Sequence, residues 1–191
     1  MLSFREVLPS DAALIHNWRT KNRVSSSMNT DLDSSIWEQE QWVNLKRQDP
    51  SYYHWIIRCT GKDIGLVSIS NVDTDRRITS WGFYIGEDDF LGVGGFVPLY
   101  LYSYIFHSIK LEKVVAEVLY YNTEVIKLHL KHAYIFRPEK DYVIQKRKQQ
   151  VLVISMELDK KDFVDSRYDK LSVELPVKHW EANPFGQKNG K

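Results

Sequence analysis

Cysteine is almost missing from this chain. Cys59 stands alone among 191 residues, so no internal disulfide can form and no cysteine cluster can hold zinc. A lone thiol suits a reducing compartment, and the cytoplasm is the expected location. Neither sign of charge prevails, because 26 basic residues face 25 acidic ones, and no global field steers the chain toward nucleic acid. Long hydrophobic runs are lacking too. The longest, Phe96 to Phe106, contains Pro98 and Ser103 and is too short to cross a bilayer. The opening MLSFREVLPSD lacks the basic head and apolar stretch of a signal peptide, so no membrane association is expected. Nothing repeats at a fixed period. His16, His54, His107 and His179 do not form an HxxxH spacing joined to a carboxylate, and no metal site is expected.

What is present is core-forming material: 43% hydrophobic and 13% aromatic residues, enough for one domain with a sizeable interior. Leu2 to Val7 alternates as a strand, and Ser10 or Asp11 offers an N-cap to a helix reaching about Arg19. SSSMNTDLDSS predicts a loop ending in a capping box, Ser35 and Glu38, with a helix to about Lys46. From Tyr53 to Gly86, β-branched and aromatic residues cluster between TGKD and DTDRR, predicting three consecutive antiparallel strands. KVVAEVL (113–119) reads as a buried strand, NTEVIKLHLKHA (122–133) as a helix capped by Asn122, and QVLVISMEL (150–158) as a further strand. The order is a mixed α/β one, with a domain expected over 1–158. Residues 159–191, with Phe163, Tyr168, Leu171, Val173, Leu175 and Trp180 among charges and turn formers, read as a partly ordered appendage.

Between strand and helix lies GVGGFVPLYLYSYIF (92–106). A helix N-terminus presents unpaired N–H groups and a partial positive charge, and glycines let a pyrophosphate approach the main chain. Gly92, Gly94 and Gly95 meet that requirement, and Pro98 is tolerated in the first helical turn before a helix to about Ser108. A loop that merely lets strand and helix pack closely satisfies the same letters. Neither GxxxxGK[ST] nor an early GxGxxG is present, which sets aside the two common phosphate motifs.

The meander, the strand ending FYIG, the glycine loop, the helix, the buried strand and the capped helix together resemble the GCN5-related N-acetyltransferase (GNAT) family over roughly residues 2–158. Within it, NWR (17–19), GVG (92–94), EVLYYN (117–122) and VIKLHLK (125–131) are most similar to the pseudaminic acid pathway enzymes that acetylate a 4-amino group on a UDP-linked dideoxy sugar. The resemblance implies an α/β fold with a mixed, mostly antiparallel central sheet whose two middle strands splay apart, flanked by helices. It departs from the family pattern at Leu91, where a basic or amide residue is usual, and at Phe96, where a small one is. Ala133-Tyr134 stands where Gly-Phe is usual.

The resemblance further implies acetyl-CoA in the wedge between the splayed strands, its pantetheine along Phe83, Tyr84 and Ile85 and its pyrophosphate on Leu91, Gly92, Val93, Gly94, Gly95 and Phe96. Asn122 would reach the pantetheine amides or cap its helix. An N–H near Phe83 or Tyr84 would polarise the thioester carbonyl, the largest rate contribution such a site supplies. A neutral amine would attack directly. His129, on the last motif helix, is the expected proton donor, since imidazole ordinarily titrates in the working range; a satisfied core histidine explains the same position. His132 is a weaker candidate, and Cys59 has no neighbouring base to make it a nucleophile. Trp18, Arg19 and Arg23, with Trp37 and Trp42 near them, are the residues expected to meet a nucleotide-linked amino sugar, arginine forks suiting a diphosphate and aromatic faces a uracil or sugar ring. Tryptophans at helical spacing equally suit a core. The other readings are acetylation of a protein N-terminus or a polyamine, an acidic acceptor pocket favouring the polyamine, and a non-catalytic binding module. A monomer or homodimer is expected.

Overall fold

The computed structural model describes residues 2–31 and 35–164. Strand β1 (Leu2–Glu6) pairs antiparallel with β2 (Tyr53–Cys59), and β2, β3 (Lys62–Asp73) and β4 (Ile78–Ile85) form the predicted meander. Strand β5 (Lys113–Leu119) runs parallel to β4, and β8 (Gln149–Asp159) pairs antiparallel along all of β5. Two short strands, β6 (Ile135–Phe136) and β7 (Tyr142–Lys146), complete the sheet from the outer edge of β8. The spatial order is β1-β2-β3-β4-β5-β8-β6, with β7 on β8. This is the α/β architecture with a mixed, mostly antiparallel sheet that the resemblance implied.

Alternation along the strands divides the apolar residues between two faces. On one face α1 (Ala12–Thr20), the single turn α2 (Asn22–Ser25) and α3 (Ile36–Gln48) bury Ile15, Trp18, Val24 and Val43 against Val7, Ile56, Leu66 and Tyr84. The Ser35–Glu38 capping box forms as predicted. Asp11 precedes α1 without capping it, because its carboxylate turns back to the N–H of Leu8 and to Arg5, both at 2.8 Å. The other face is covered by α4 (Val97–Ser103), α5 (Thr123–Lys131) and α6 (Lys160–Val164). The helix predicted to run to Ser108 is α-helical only to Ser103, then widens into a π turn over Tyr104–Ser108. The wider turn lets Tyr104, Ile105 and Phe106 all enter the core, which a regular helix would not do with three consecutive residues. By length and composition alone Asp88–Ser108 would suffice to cross a membrane, but half of its apolar window is buried in this core.

The compact unit passes the expected boundary at 158. Phe163 of α6 is 1% exposed and packs 5.4 Å from both Tyr102 and Phe106. The remaining appendage residues, Tyr168 to Trp180 included, lie outside the described residues. The β7–β8 hairpin was not predicted, because its turn places Arg147 (φ 46°) and Lys148 (φ 63°) in the left-handed region that Asn-Gly usually announces.

One charged group sits at the heart of the outer strands. The Glu157 carboxylate on β8, 1% exposed, accepts from Lys113 Nζ and Arg137 Nε at 2.9 Å and Lys140 Nζ at 2.5 Å. Burial alone would push this carboxyl up; the hydrogen bonds from Lys140, Lys113 and Arg137 outweigh burial and hold it down at about 2. Its stabilisation is therefore present above the ordinary glutamate range and lost as pH falls toward 2. Glu157→Gln should cost on the order of 2 kcal/mol, below the 3–5 of a fully buried pair because the cations reach water. Denaturant melts at pH 7 and pH 3 check this: the gap between wild type and variant should shrink at pH 3.

Candidate active site

The feature that makes a site is a failure of pairing. β4 and β5 are partners only from Ile78↔Lys113 to Ser80↔Val115. Beyond that point β4 continues to Ile85, held by β3, and β5 continues to Leu119, held by β8. The main-chain groups of 81–85 and 116–119 that face each other across the gap have no strand partner. Such edges must bond something, and an extended ligand carrying amides matches them.

On the α4/α5 face of the gap the side chains form a partly buried aromatic wall. Trp81 and Phe83 stack with centroids 5.7 Å apart, and Trp81 Nε1 donates to the Tyr134 hydroxyl at 2.9 Å. His129 packs 5.6 Å from Trp81 and 4.7 Å from Tyr134 and is 3% exposed, its Nδ1 without a partner among the described residues. Burial first, and the neighbouring His132 second, push this imidazole down to about 3. The expectation of titration in the working range is thereby corrected: His129 is at the wall of the wedge, but as a neutral ring.

The glycine stretch folds as successive 3-10 turns over Asp88–Phe96 that lead directly into α4. None of its glycines has a positive φ, so backbone conformation does not demand them. A Cβ at Gly94 would touch Ile85 and Phe83 at 3.5 and 3.7 Å, which seats the turn on the end of β4. At Gly92 and Gly95 a Cβ would meet nothing within 4 Å. Glycine there leaves bare main chain facing open space. Leu91 and Phe96 are exposed, while Val93 packs on the core. Asn122 occupies the cap position of α5 but makes no capping bond through its side chain, which remains half-buried past the end of β5.

The opposite face carries a polar row that sequence reasoning missed. Register places His54, Ser68 and Gly82 side by side across β2, β3 and β4, and a Cβ at Gly82 would meet nothing within 4 Å. Tyr52 hydrogen-bonds Ser68 and packs 5.4 Å from His54, with Trp42 5.6 Å from the same imidazole. Burial, then the charges of Arg47 and Lys46, push His54 down to about 4. Both His54 nitrogens, Gln39 Nε2, Arg19 Nε and the Tyr84 hydroxyl are buried without partners among the described residues. Arg19 lies close enough for its charge to act on both Tyr52 and Tyr84. Orphaned polar atoms cost roughly 1–3 kcal/mol each, and a fold that gathers several on one face has a use for them. The spacing of His54 with Ile56, and of Ser68 with Leu66, was the available signal, a polar residue on an otherwise apolar strand face.

Other expected residues are dispersed. Trp18 is fully buried, donates to Glu87 at 2.7 Å and fills the space where a Gly86 Cβ would stand 2.1 Å from its ring, so it is core and offers no face to a ligand. Arg23 pairs with Asp88 at 2.7 Å on the surface. Trp37 is 66% exposed. Cys59 ends β2 as a free thiol.

A sheet parted between two parallel strands, with bare main-chain edges and a glycine turn at its mouth, is the architecture of an acyl transferase that grips a thioester donor by the backbone. The chain belongs to the acetyltransferase (GNAT) domain family, whose model matches residues 7–142, and it is an acetyl-CoA-dependent N-acetyltransferase. Among solved structures, a spermidine N-acetyltransferase from Vibrio cholerae in complex with CoA and spermine superposes with a TM-score of 0.75 at 17% identity, over 85% of this chain and 98% of that one. A dodecameric structure of spermidine N-acetyltransferase from the same organism, in an intermediate state, gives 0.71 at 18% identity, over 86% and 96%. At such identities the likeness is one of fold. No curated protein matches the chain by sequence.

Two neutral buried imidazoles leave a pH signature. The unfolded chain binds protons at His54 and His129 below about 6.5, while the native state resists until about 4 and about 3. Stability therefore falls as pH drops through that window, since the unfolded state holds more protons there. Thermal melts from pH 7.5 to 4.5 should show this slope, and His54→Phe should flatten part of it.

Proposed function

We propose that this enzyme acetylates the primary amine of a small molecule rich in oxygen acceptors and bearing negative charge, the class to which a nucleotide-linked amino sugar belongs. One observation carries the reading: the unpartnered groups on the acceptor face are mainly donors, the Arg19 Nε–H, the Gln39 amide and the Tyr84 hydroxyl, and one of them belongs to a cation. Phosphate and carbonyl oxygens answer such groups. A polyamine, itself all donors and positive charge, does not.

In this reading acetyl-CoA lies in the wedge, with pantetheine along Phe83 to Ile85, the Asn122 amide beside it and pyrophosphate over Gly92 to Phe96. A main-chain N–H at Phe83 or Tyr84 polarises the thioester carbonyl. The amine attacks as the free base from the Gly82 side, and its nitrogen–acetyl bond forms as the carbon–sulfur bond breaks. The proton that the new amide nitrogen sheds passes through water to the departing thiolate, which leaves as free CoA. His129, neutral, hydrogen-bonds the departing sulfur without carrying the charge of an imidazolium. Arg19 holds the acceptor; Trp18 and Arg23 frame the site without touching it.

The second reading is a polyamine acceptor. The spermidine enzymes of similar fold support it, and so does Glu117, an exposed carboxylate on β5 just past the last β4–β5 pair. Thiol release from acetyl-CoA, measured with UDP-, dTDP- and GDP-linked 4-amino sugars against spermidine and spermine, separates the two. At least one sugar nucleotide should exceed both polyamines about tenfold in kcat/KM, and Arg19→Ala should raise its KM about 10- to 100-fold, the value of a hydrogen bond to a charged group. Faster spermidine turnover, unaffected by Arg19→Ala, selects the polyamine.

The donor half has its own check. Gly95→Ala should leave the melting temperature unchanged or slightly raised, because it restricts the unfolded chain and meets no neighbour. Its methyl group should nevertheless weaken CoA binding about tenfold by calorimetry, through lost main-chain contact. Unchanged CoA affinity would remove the glycine turn from the donor site.

A further inference from the structure

Residues 21–31 leave α1 at the end of β4 and cross to the far side of the gap. Near β4, Lys21 Nζ donates to Gly86 O at 2.7 Å and Arg23 pairs with Asp88. Near β5, the Asn29 amide donates to Glu117 O at 3.4 Å and the Tyr121 hydroxyl to Ser26 O at 2.8 Å. The segment thus ties together the two strand ends that have parted, and forms a strap over the mouth of the wedge on the acceptor side.

Its firmest attachment lies further out, on the β7–β8 hairpin. Lys146, 4% exposed, donates to Ser25 O at 3.0 Å and to Asp31 Oδ1 at 2.8 Å. The next residue repeats the grip: Arg147 N donates to Asp31 Oδ2 at 2.8 Å and its guanidinium to Ser25 Oγ at 2.8 Å. A buried ammonium is tolerated only where it is paired, so the strap can lift from the hairpin only by exposing or stranding this charge. The hairpin extends past the end of β5, and no strand pairing holds its tip against α2; that contact is made by the Lys146 and Arg147 bonds to the strap.

We propose that Lys146 is a positioning residue which, through Asp31 and Ser25, holds residues 21–31 across the parted strands and so shapes the approach by which the acceptor amine reaches the thioester. The inference rests on acetyl-CoA occupying the wedge as described above. It holds for either acceptor. With the strap seated, bulk water is kept from the thioester; with it loosened, the acceptor loses its roof while the donor keeps its main-chain grip.

The test uses Lys146→Met, Lys146→Arg and Asp31→Asn in the full chain, with acetyl-CoA itself as the probe. In Lys146→Met, amine-free hydrolysis of acetyl-CoA, followed by thiol release, should rise about fivefold or more, and hydrogen exchange should quicken at residues 22–30. With whichever amine of the panel turns over, its KM should rise about tenfold while the KM for acetyl-CoA stays within about twofold. Lys146→Arg should restore most of the acceptor KM, which a loss of general stability would not permit. Should Lys146→Met fail to fold, Asp31→Asn, at an exposed carboxylate, carries the same readouts. A folded variant with unchanged exchange and unchanged hydrolysis overturns the proposal, whether or not any amine of the panel is acetylated; a failed panel with these two changes present overturns only the acceptor assignment.

Discussion

The rest of the site depends on two parallel strands that stop being partners. In an ordinary sheet the β4 edge from Trp81 onward would be satisfied by β5, and the region would be closed core. Because pairing ends at Ser80↔Val115, each strand beyond that point has a strand partner on its outer side only, β3 for β4 and β8 for β5. That outer support is extensive. The meander and the long β5–β8 ladder let the fold hold open a gap that would otherwise collapse, and the Glu157 cluster fixes β8 to the base of β5 through Lys113.

Around that gap the two faces are chemically opposite. Toward α4 and α5 there are stacked rings and a buried imidazole; toward α1 and α3 there are a phenol hydroxyl, an imidazole, an amide and a guanidinium with bonds left unmade among the described residues. The division follows from alternation along β4 itself: Trp81 and Phe83 on one side, Gly82 and Tyr84 on the other. A thioester donor needs a dry, neutral setting that strengthens main-chain dipoles, whereas an acceptor needs recognition. In the proposed reading one strand would supply both by changing side with each residue.

Legibility of these features in the sequence follows the range of the interactions. The meander, the Ser35–Glu38 box, β5 and β8 are written in local periodicity and turn residues, and they were predicted to within a few residues. The glycine stretch was read either as a main-chain cradle for a pyrophosphate or as a turn for close packing, and the letters do not separate the two; in the fold Gly94 sits against Ile85 and Phe83 while Gly92 and Gly95 face open space. What was not legible was long-range or locally atypical. A hairpin turn made of Arg147 and Lys148 carries none of the glycine or asparagine that usually marks left-handed residues, so β7 went unseen. Trp18 was grouped with possible ligand contacts because helical spacing cannot distinguish a ring that fills the space above Gly86 from one that faces solvent. The polar row needed register: His54, Ser68 and Gly82 are far apart in the chain and adjacent only once β2, β3 and β4 are paired. Likewise nothing near Lys146 in sequence announces Asp31.

The neutrality of His129 bears on how charge is managed at the moment of transfer. Its surroundings are Trp81, Tyr134 and, beyond them, Tyr102, whose phenols burial also keeps protonated. Among the described residues that pack on His129 none is ionised, so in the proposed reading the charge developing on the thioester oxygen and then on sulfur would be met by dipoles: main-chain N–H groups of the unpaired β4 edge and the N–H of a neutral imidazole. Fixed dipoles in a dry site need little reorganisation as charge appears, and their effect is greatest where dielectric screening is least. An imidazolium in the same place would have to be desolvated before every turnover, against the cost that already holds this ring neutral. The same burial that makes His129 a poor acid therefore suits the proposed transfer, in which the protein itself would not change its charge.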